Sequence, residues 1–361
     1  MTAEFVDAGP SPVAERLLAV AAALAVQAHQ AQEGLTDNTA LLAQASRAVD
    51  ELRALVHDQE AAAAAPLLVK MDELAGALID DHNARVAAAA EHGGVVGVRT
   101  GIDHLDETIN GLEPGKLYIL AAMPGAGKTT LALQMAATVA QYGYPALYVS
   151  LENDALDLAR KTVCRFGEIS YAQALKGKVA PSVWHDGVAD LSKLNGRLFL
   201  STPRATMPEL AALIEQVTAQ AGQPPALVVI DYLQAWVKRA ATLTEEVGVR
   251  EQIDRFTPAL RALGERYGCA VLTISSQNRA GYANGGMAAM KESGDIEYNA
   301  DVTMTLQKKA VPPLQPGCPP PPPSVNTKIE LIVNKNRQGM CGLPINLTLR
   351  GDWCTIDEED V

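Results

Sequence analysis

Ala122-Met123-Pro124-Gly125-Ala126-Gly127-Lys128-Thr129 is the stretch on which the fold turns. It follows an apolar, β-rich run, Leu117–Ala122, and opens onto a helix-like segment that begins near Thr130 and Leu131. A tight Gly-rich turn between a strand and a helix is the setting in which backbone N–H groups cradle a phosphate. Gly125 and Gly127 let the backbone curl inward. The first turn of the helix adds partial positive charge. Lys128 is placed to neutralise the β- and γ-phosphates of a nucleoside triphosphate, and Thr129 to offer a hydroxyl to Mg2+. Pro124, Ala126 and Thr130 complete the loop around the phosphates. Ala122 stands where the pattern usually opens with Gly. ATP and Mg2+ are the expected ligands.

A metal in that position needs a carboxylate. Leu227-Val228-Val229-Ile230-Asp231 supplies one, an apolar strand ending in an acid. An Asp there can also simply cap the next turn, but the phosphate loop upstream favours the metal role. Hydrolysis further needs a group that positions water. Glu152 ends the run Ala146–Leu151, and strand C-termini in a parallel sheet face the nucleotide crevice. Glu152 is therefore the candidate general base, although a Glu at a strand end is otherwise an ordinary solvated residue.

Around these motifs, short apolar runs alternate with helix-length segments from about residue 96. The runs are Leu117–Ala122, Ala146–Leu151, Leu198–Leu200, Leu227–Asp231, Ala270–Ser275, Val302–Leu306, Ile329–Val333 and Ile345–Leu349. The alternation predicts an α/β fold with a mostly parallel sheet and crossover helices, its last strands close enough to form a hairpin. Five consecutive prolines, Pro319 to Pro323, place the segment from Val311 to Ser324 in an extended surface loop. Upstream, residues 1–65 read as a small helical arm, with apolar positions such as Leu41, Leu42, Ala45, Val49, Leu52 and Val56 on one helix face. Residues 66–95 read as a linker helix that ends at Gly93-Gly94. Such a helix packs on its own domain or docks on a neighbouring subunit. The expected division is 1–65 arm, 66–95 linker, 96–352 nucleotide domain and 353–361 acidic tail.

Composition agrees with a folded chain: 48% of the 361 residues are hydrophobic and 20% charged, which excludes wholesale disorder. The net charge of −12 is unevenly spread. Residues 1–95 carry 14 acids and 5 bases, residues 351–361 carry 5 acids and no base, and residues 96–350 carry 23 acids against 25 bases. A local basic channel is thus compatible with an acidic whole. The run Leu17–Val26 is too short to span a bilayer, and Glu4 and Asp7 do not suit a secretory leader. The five cysteines are scattered and lack metal-site spacing, which points to a cytoplasmic, reducing setting with no membrane association.

Residues 97–353 resemble the C-terminal ATPase domain of DnaB-like replicative helicases, RecA-like hexameric motors of helicase superfamily 4. The matching strings run in family order. Thr100-Gly101-Ile102-Asp103-His104-Leu105-Asp106 and Gly111-Leu112-Glu113-Pro114-Gly115 lead in. The phosphate loop, Ser150-Leu151-Glu152, Ile230-Asp231-Tyr232-Leu233-Gln234 and Ser275-Ser276-Gln277-Asn278-Arg279 follow. Lys291-Glu292-Ser293-Gly294-Asp295-Ile296-Glu297-Tyr298-Asn299-Ala300-Asp301 is the most distinctive, and Lys335-Asn336-Arg337-Gln338-Gly339 is last.

The resemblance implies that Glu152 is the catalytic Glu. It also implies that Lys335 and Arg337 reach across a subunit interface to a neighbour's γ-phosphate; otherwise they decorate a solvated hairpin tip. Gln277 would sense the γ-phosphate, with Ser276 the alternative. Asn278 and Arg279 would open a loop facing a ring channel, Gly281 to Gly286. Together with Lys238, Arg239 and Arg250 they would meet sugar-phosphate, although the same bases would serve equally as surface charge.

The resemblance further implies a 5′→3′ replicative DNA helicase that hydrolyses ATP at the interfaces of a hexamer and moves on single-stranded or forked DNA. A primase or loader would meet the N-terminal arm. The family's large N-terminal helical collar has no match in residues 1–65. A DNA-stimulated, RecA-like ATPase without unwinding is the second expectation. An interaction protein whose acidic arm recruits partners is the third.

Overall fold

The structure, a computed structural model, describes residues 69–202, 206–233, 249–276, 299–309 and 326–359, together with Ser46. The chain divides into two units, Met1–Asp80 and Asp81–Val361. In the first, the described residues form a 3-10 turn, Met71–Leu74, and the opening of helix α1 (Ala75–Glu91). The rest of the expected arm and the Pro-rich segment 311–324 lie outside the described residues.

In chain order the second unit carries α2 (Asp103–Ile109), β1 (Leu117–Ala122), α3 (Lys128–Gln141), β2 (Ala146–Ser150) and α4 (Ala155–Phe166). Two short helices follow, α5 (Tyr171–Leu175) and α6 (Pro181–Ala189), then β3 (Leu198–Ser201), α7 (Met207–Ala221), β4 (Leu227–Asp231) and α8 (Val249–Tyr267). Five strands complete the unit: β5 (Ala270–Ser276), β6 (Val302–Lys308), β7 (Asn326–Asn336), β8 (Pro344–Arg350) and β9 (Thr355–Glu358). They form one sheet in the order β3-β2-β4-β5-β1-β6-β7-β8-β9. From β3 to β6 every pairing is parallel; from β6 to β9 every pairing is antiparallel.

The apolar runs are continuous because both faces of the central strands are covered. All residues of β1, β2 and β4 are buried. Side chains alternate between two layers. Tyr118 and Leu120 of β1 pack with Leu131 and Met135 of α3 on one face. Leu117 and Ile119 pack with Ile214 and Val217 of α7 and Leu260 and Leu263 of α8 on the other. Each such aliphatic side chain contributes about 1.5–3 kcal/mol on leaving water. Near the start of the unit the chain crosses itself closely. Val98 and Leu112 form an isolated bridge, and a Cβ on Gly97 would lie 2.4 Å from the Leu112 carbonyl carbon. Only glycine fits that crossing.

The eight expected strands are present, with β7 longer than its apolar run suggested. A ninth strand, β9, lies within the segment read as an acidic tail. Its polar pattern hides it from a hydrophobicity reading, because it is held by side chains. Glu358 accepts from the Asp103 N–H at 2.9 Å and the His104 N–H at 3.3 Å, capping the positive end of α2. Asp357 pairs with Arg350 of β8. Gln134, buried on α3, clamps the Ile356 backbone from both sides. Its Nε2 donates to Ile356 O at 2.7 Å, and its Oε1 accepts from Ile356 N at 2.9 Å.

Replacing Gln134 by Leu leaves that buried N–H and carbonyl without their partner. The expected cost is about 1–3 kcal/mol, read as a lower urea midpoint at unchanged slope.

Candidate nucleotide site

The phosphate loop is shaped by its glycines. Gly125 has φ +74° and Gly127, the residue before α3, has φ +98°, both in the left-handed region. Gly127 also has company: a Cβ there would meet Leu349 of β8 at 3.3 Å and Ile356 of β9 at 3.4 Å. The Ala126 N–H donates to Met123 O at 3.2 Å, closing the turn. The loop thus ends with the N–H groups of a 14-residue helix pointing outward, an arrangement suited to an anion.

Lys128 opens α3 and bends over the loop, its Nζ donating to Ala122 O at 3.0 Å and Met123 O at 3.3 Å. Partial burial lowers its pKa, and the charges of Asp231 and Glu152 oppose that shift. Thr129 Oγ1 donates to Asp231 Oδ2 at 2.9 Å, and Tyr148 of β2 donates its hydroxyl to the same oxygen at 2.7 Å. Asp231 is 1% exposed. Burial pushes its pKa up. The two hydroxyls, then the charges of Lys128 and Lys161, pull it back.

The sheet order explains why these groups meet. β1 and β4 are separated only by β5, and all three run the same way. Their C-terminal ends therefore face the crevice above the sheet. β5 ends at Ser276, the register partner of Ala122. The Ser276 side chain lies outside the description, as do Gln277, Asn278, Arg279 and the segment from Gly281 to Gly286. Lys238 and Arg239 also lie outside the described residues, and Arg250 is described only as backbone of α8.

Glu152 is exposed and stands two residues past Ser150, the register partner of Asp231. Its charge reaches both Lys128 and Tyr148. The bend that carries it is held locally. Ser150 Oγ donates to Asn153 O at 2.7 Å and accepts from the Asn153 N–H at 2.9 Å. Lys161 of α4 pairs with Asp157 at 2.7 Å and approaches Asn153 Oδ1 at 3.5 Å. Tyr148, Lys161 and Gln134 had no motif to mark them; only spatial neighbourhood singles them out.

Lys335 and Arg337 are not brought to this cluster. They lie at the C-terminal end of β7, which runs antiparallel to β6. Lys335 Nζ donates to Ala300 O at 2.9 Å, and the Arg337 guanidinium lies 3.5 Å from Asp301 Oδ1. Asp301 Oδ2 accepts from the N–H of Leu117, the first residue of β1. The cation pair thus sits at one end of β1 and the phosphate loop at the other. At about 3.3 Å per residue, the strand alone separates them by roughly 17 Å. Within one chain these groups do not form a single site.

The donor chemistry fits the expected ligands: hard oxygens of Thr129 and Asp231 suit Mg2+, and the loop amides with Lys128 suit a polyphosphate. Among the described residues there is no cluster of three or more His, Cys, Asp or Glu side chains for a metal, and no helix long and apolar enough to cross a membrane.

Residues 97–356 match the family model described as the DnaB-like helicase C-terminal domain. A replicative DNA helicase DnaB from Leifsonia xyli subsp. xyli is 30% identical over 232 residues, which cover 62% of this chain and 49% of that protein. The chain spans about half the length of the curated relatives it matches. A solved ATPase domain superposes with a TM-score of 0.66 at 18% identity, covering 80% of this chain and 99% of that one. A DnaB-like replicative helicase, studied together with its interactions with primase, superposes with a TM-score of 0.65 at 17% identity, covering 96% of this chain and 77% of that one. The fold is that of RecA-like ATPase domains.

Gly127→Ala puts a side chain where φ is +98° and two side chains already press. A loss of about 1–2 kcal/mol is expected from the backbone conformation alone, measured by chemical denaturation.

Proposed function

The chain belongs to the family of the DnaB-like helicase C-terminal domain, and from that premise we propose that it is the ATP-driven motor of a replicative DNA helicase. It would act 5′→3′ on single-stranded or forked DNA as a hexameric ring in the cytoplasm. The observation that carries this reading is the division of the machinery between the two ends of β1. A phosphate loop with a buried acid at one end, and a cation pair at the other, suits a cleft completed by the next protomer.

In this proposal Lys128 and the loop amides hold the triphosphate. Thr129 and Asp231 would hold Mg2+, which supplies positive charge to the β- and γ-phosphate oxygens when bound. Glu152 orients the attacking water and takes its proton; its exposure on the bend after β2 supports that role. Arg337 and Lys335 of a neighbouring copy face the γ-phosphate and stabilise the charge that develops as the bond breaks. Gln277, or Ser276 beside it, reports the γ-phosphate to the segment that follows, where Asn278 and Arg279 meet DNA together with Lys238, Arg239 and Arg250. A primase or loader would engage residues 1–65.

Purified protein with ATP and Mg2+ is expected to displace the strand of a forked duplex. Lys128→Ala should lose ATP turnover by at least about 10²-fold and lose displacement with it. DNA-stimulated turnover without displacement would favour a RecA-like ATPase that binds but does not unwind; absence of both would overturn the motor reading. Arg337→Ala is expected to bind nucleotide normally and hydrolyse it about 10³-fold more slowly. Mixed with Glu152→Ala protein it should regain turnover, because some interfaces then join an intact Glu152 to an intact Arg337. Rings that form without regaining turnover would remove the shared-site role.

A further inference from the structure

A tyrosine in the middle of a buried parallel strand has to account for its hydroxyl. Tyr148 is completely buried in the hydrophobic layer between the sheet and α3. Phe or Leu would fill that layer without the cost of taking a phenol out of water, which is offset only when the hydroxyl finds a partner. Its hydroxyl donates to Asp231 Oδ2 at 2.7 Å and also interacts with the Thr129 hydroxyl. The sheet register builds this contact. Ser150 is the partner of Asp231, and Tyr148 lies two residues earlier on the same face, so its ring spans the diagonal between β2 and β4.

Thr129 donates to the same oxygen at 2.9 Å. Thr129, however, has a second task in the proposed site, where its oxygen would serve the cation. Tyr148 touches no ligand in the proposed site, and its place in β2, paired with β4, holds it rigidly. Neither hydroxyl engages Asp231 Oδ1.

We propose that Tyr148 is a positioning residue for the metal site: its hydroxyl fixes the Asp231 carboxylate in the orientation that receives Mg2+ with a bound nucleotide. The inference rests on the reading of Asp231 as a metal-holding acid. Outer partners that orient a ligating group typically change metal affinity by about 10–100-fold, and an effect of that size is expected here.

The experiment is a Mg2+ titration of the binding of a fluorescent ADP analogue to the full chain, without turnover, in wild type, Tyr148→Phe and Asp231→Asn. Tyr148→Phe should raise the Mg2+ concentration at half-effect by about 10-fold or more, while ADP-analogue affinity in excess chelator stays at the wild-type value. A role in packing alone would not move the Mg2+ midpoint. A shift in Asp231→Asn but a wild-type midpoint in Tyr148→Phe overturns the inference and leaves the site reading standing. No shift in either variant removes the metal role of Asp231, and the inference with it. Tyr148→Met is carried in parallel as a second hydroxyl-free side chain of similar burial. Failure of both variants to fold would overturn the positioning role in favour of a structural one.

Discussion

Asp231 is a carboxylate placed where almost no water reaches it, and the arrangement of the site depends on what its surroundings do about that. Burial alone would favour the neutral acid. Two hydroxyl donors and two ammonium groups act the other way, and they come from different elements: Thr129 and Lys128 from α3, Tyr148 from β2, Lys161 from α4. Any one of these elements shifting by an ångström would weaken the set. The close packing of the sheet between α3 on one side and α7 and α8 on the other therefore matters chemically as well as thermodynamically.

The same rigidity works along the strands. β1 is short, fully buried and paired on both edges, so its two ends keep a fixed separation. At its end stands the phosphate loop; at its start, Asp301 bonds the Leu117 N–H and faces Arg337 and Arg261. A strand so constrained is a rigid strut between the phosphate loop and the Asp301 cluster that faces Arg337. The distance between the two ends is thus set by strand direction and length rather than by any flexible reach.

The last strand shows how side chains can substitute for hydrophobicity. β9 has one buried apolar residue, Ile356, and two acids, Asp357 and Glu358. It is held by the Gln134 amide, the Arg350 pair and the cap that Glu358 makes on α2. The contacts of Leu349 and Ile356 around Gly127 bring β8 and β9 against the base of the phosphate loop. What reads as a charged tail is a strand buttressing the loop.

Much of the fold was legible in the sequence because parallel strands covered on both faces must be continuously apolar. Leu117–Ala122 and Leu227–Asp231 could therefore be bounded to the residue. The loop at 122–129 was legible for a related reason: a positive φ next to a helix start demands glycine, and phosphate demands a cation beside it. Lys128 and Thr129 were candidates from those demands, and Asp231 from the apolar strand that it ends. Other features had no local signature. Tyr148 looks like any strand aromatic, and Gln134 like any helix amide, until register and crossover place them against an acid and a backbone. The sequence determined where the Gly-rich turn between β1 and α3 lies and which residues flank it, because local backbone geometry dictates their identity. Only the tertiary structure decided which distant side chains hold them, and that Arg337 lies at the far end of β1, because those facts depend on strand order and direction, which leave no mark on neighbouring residues.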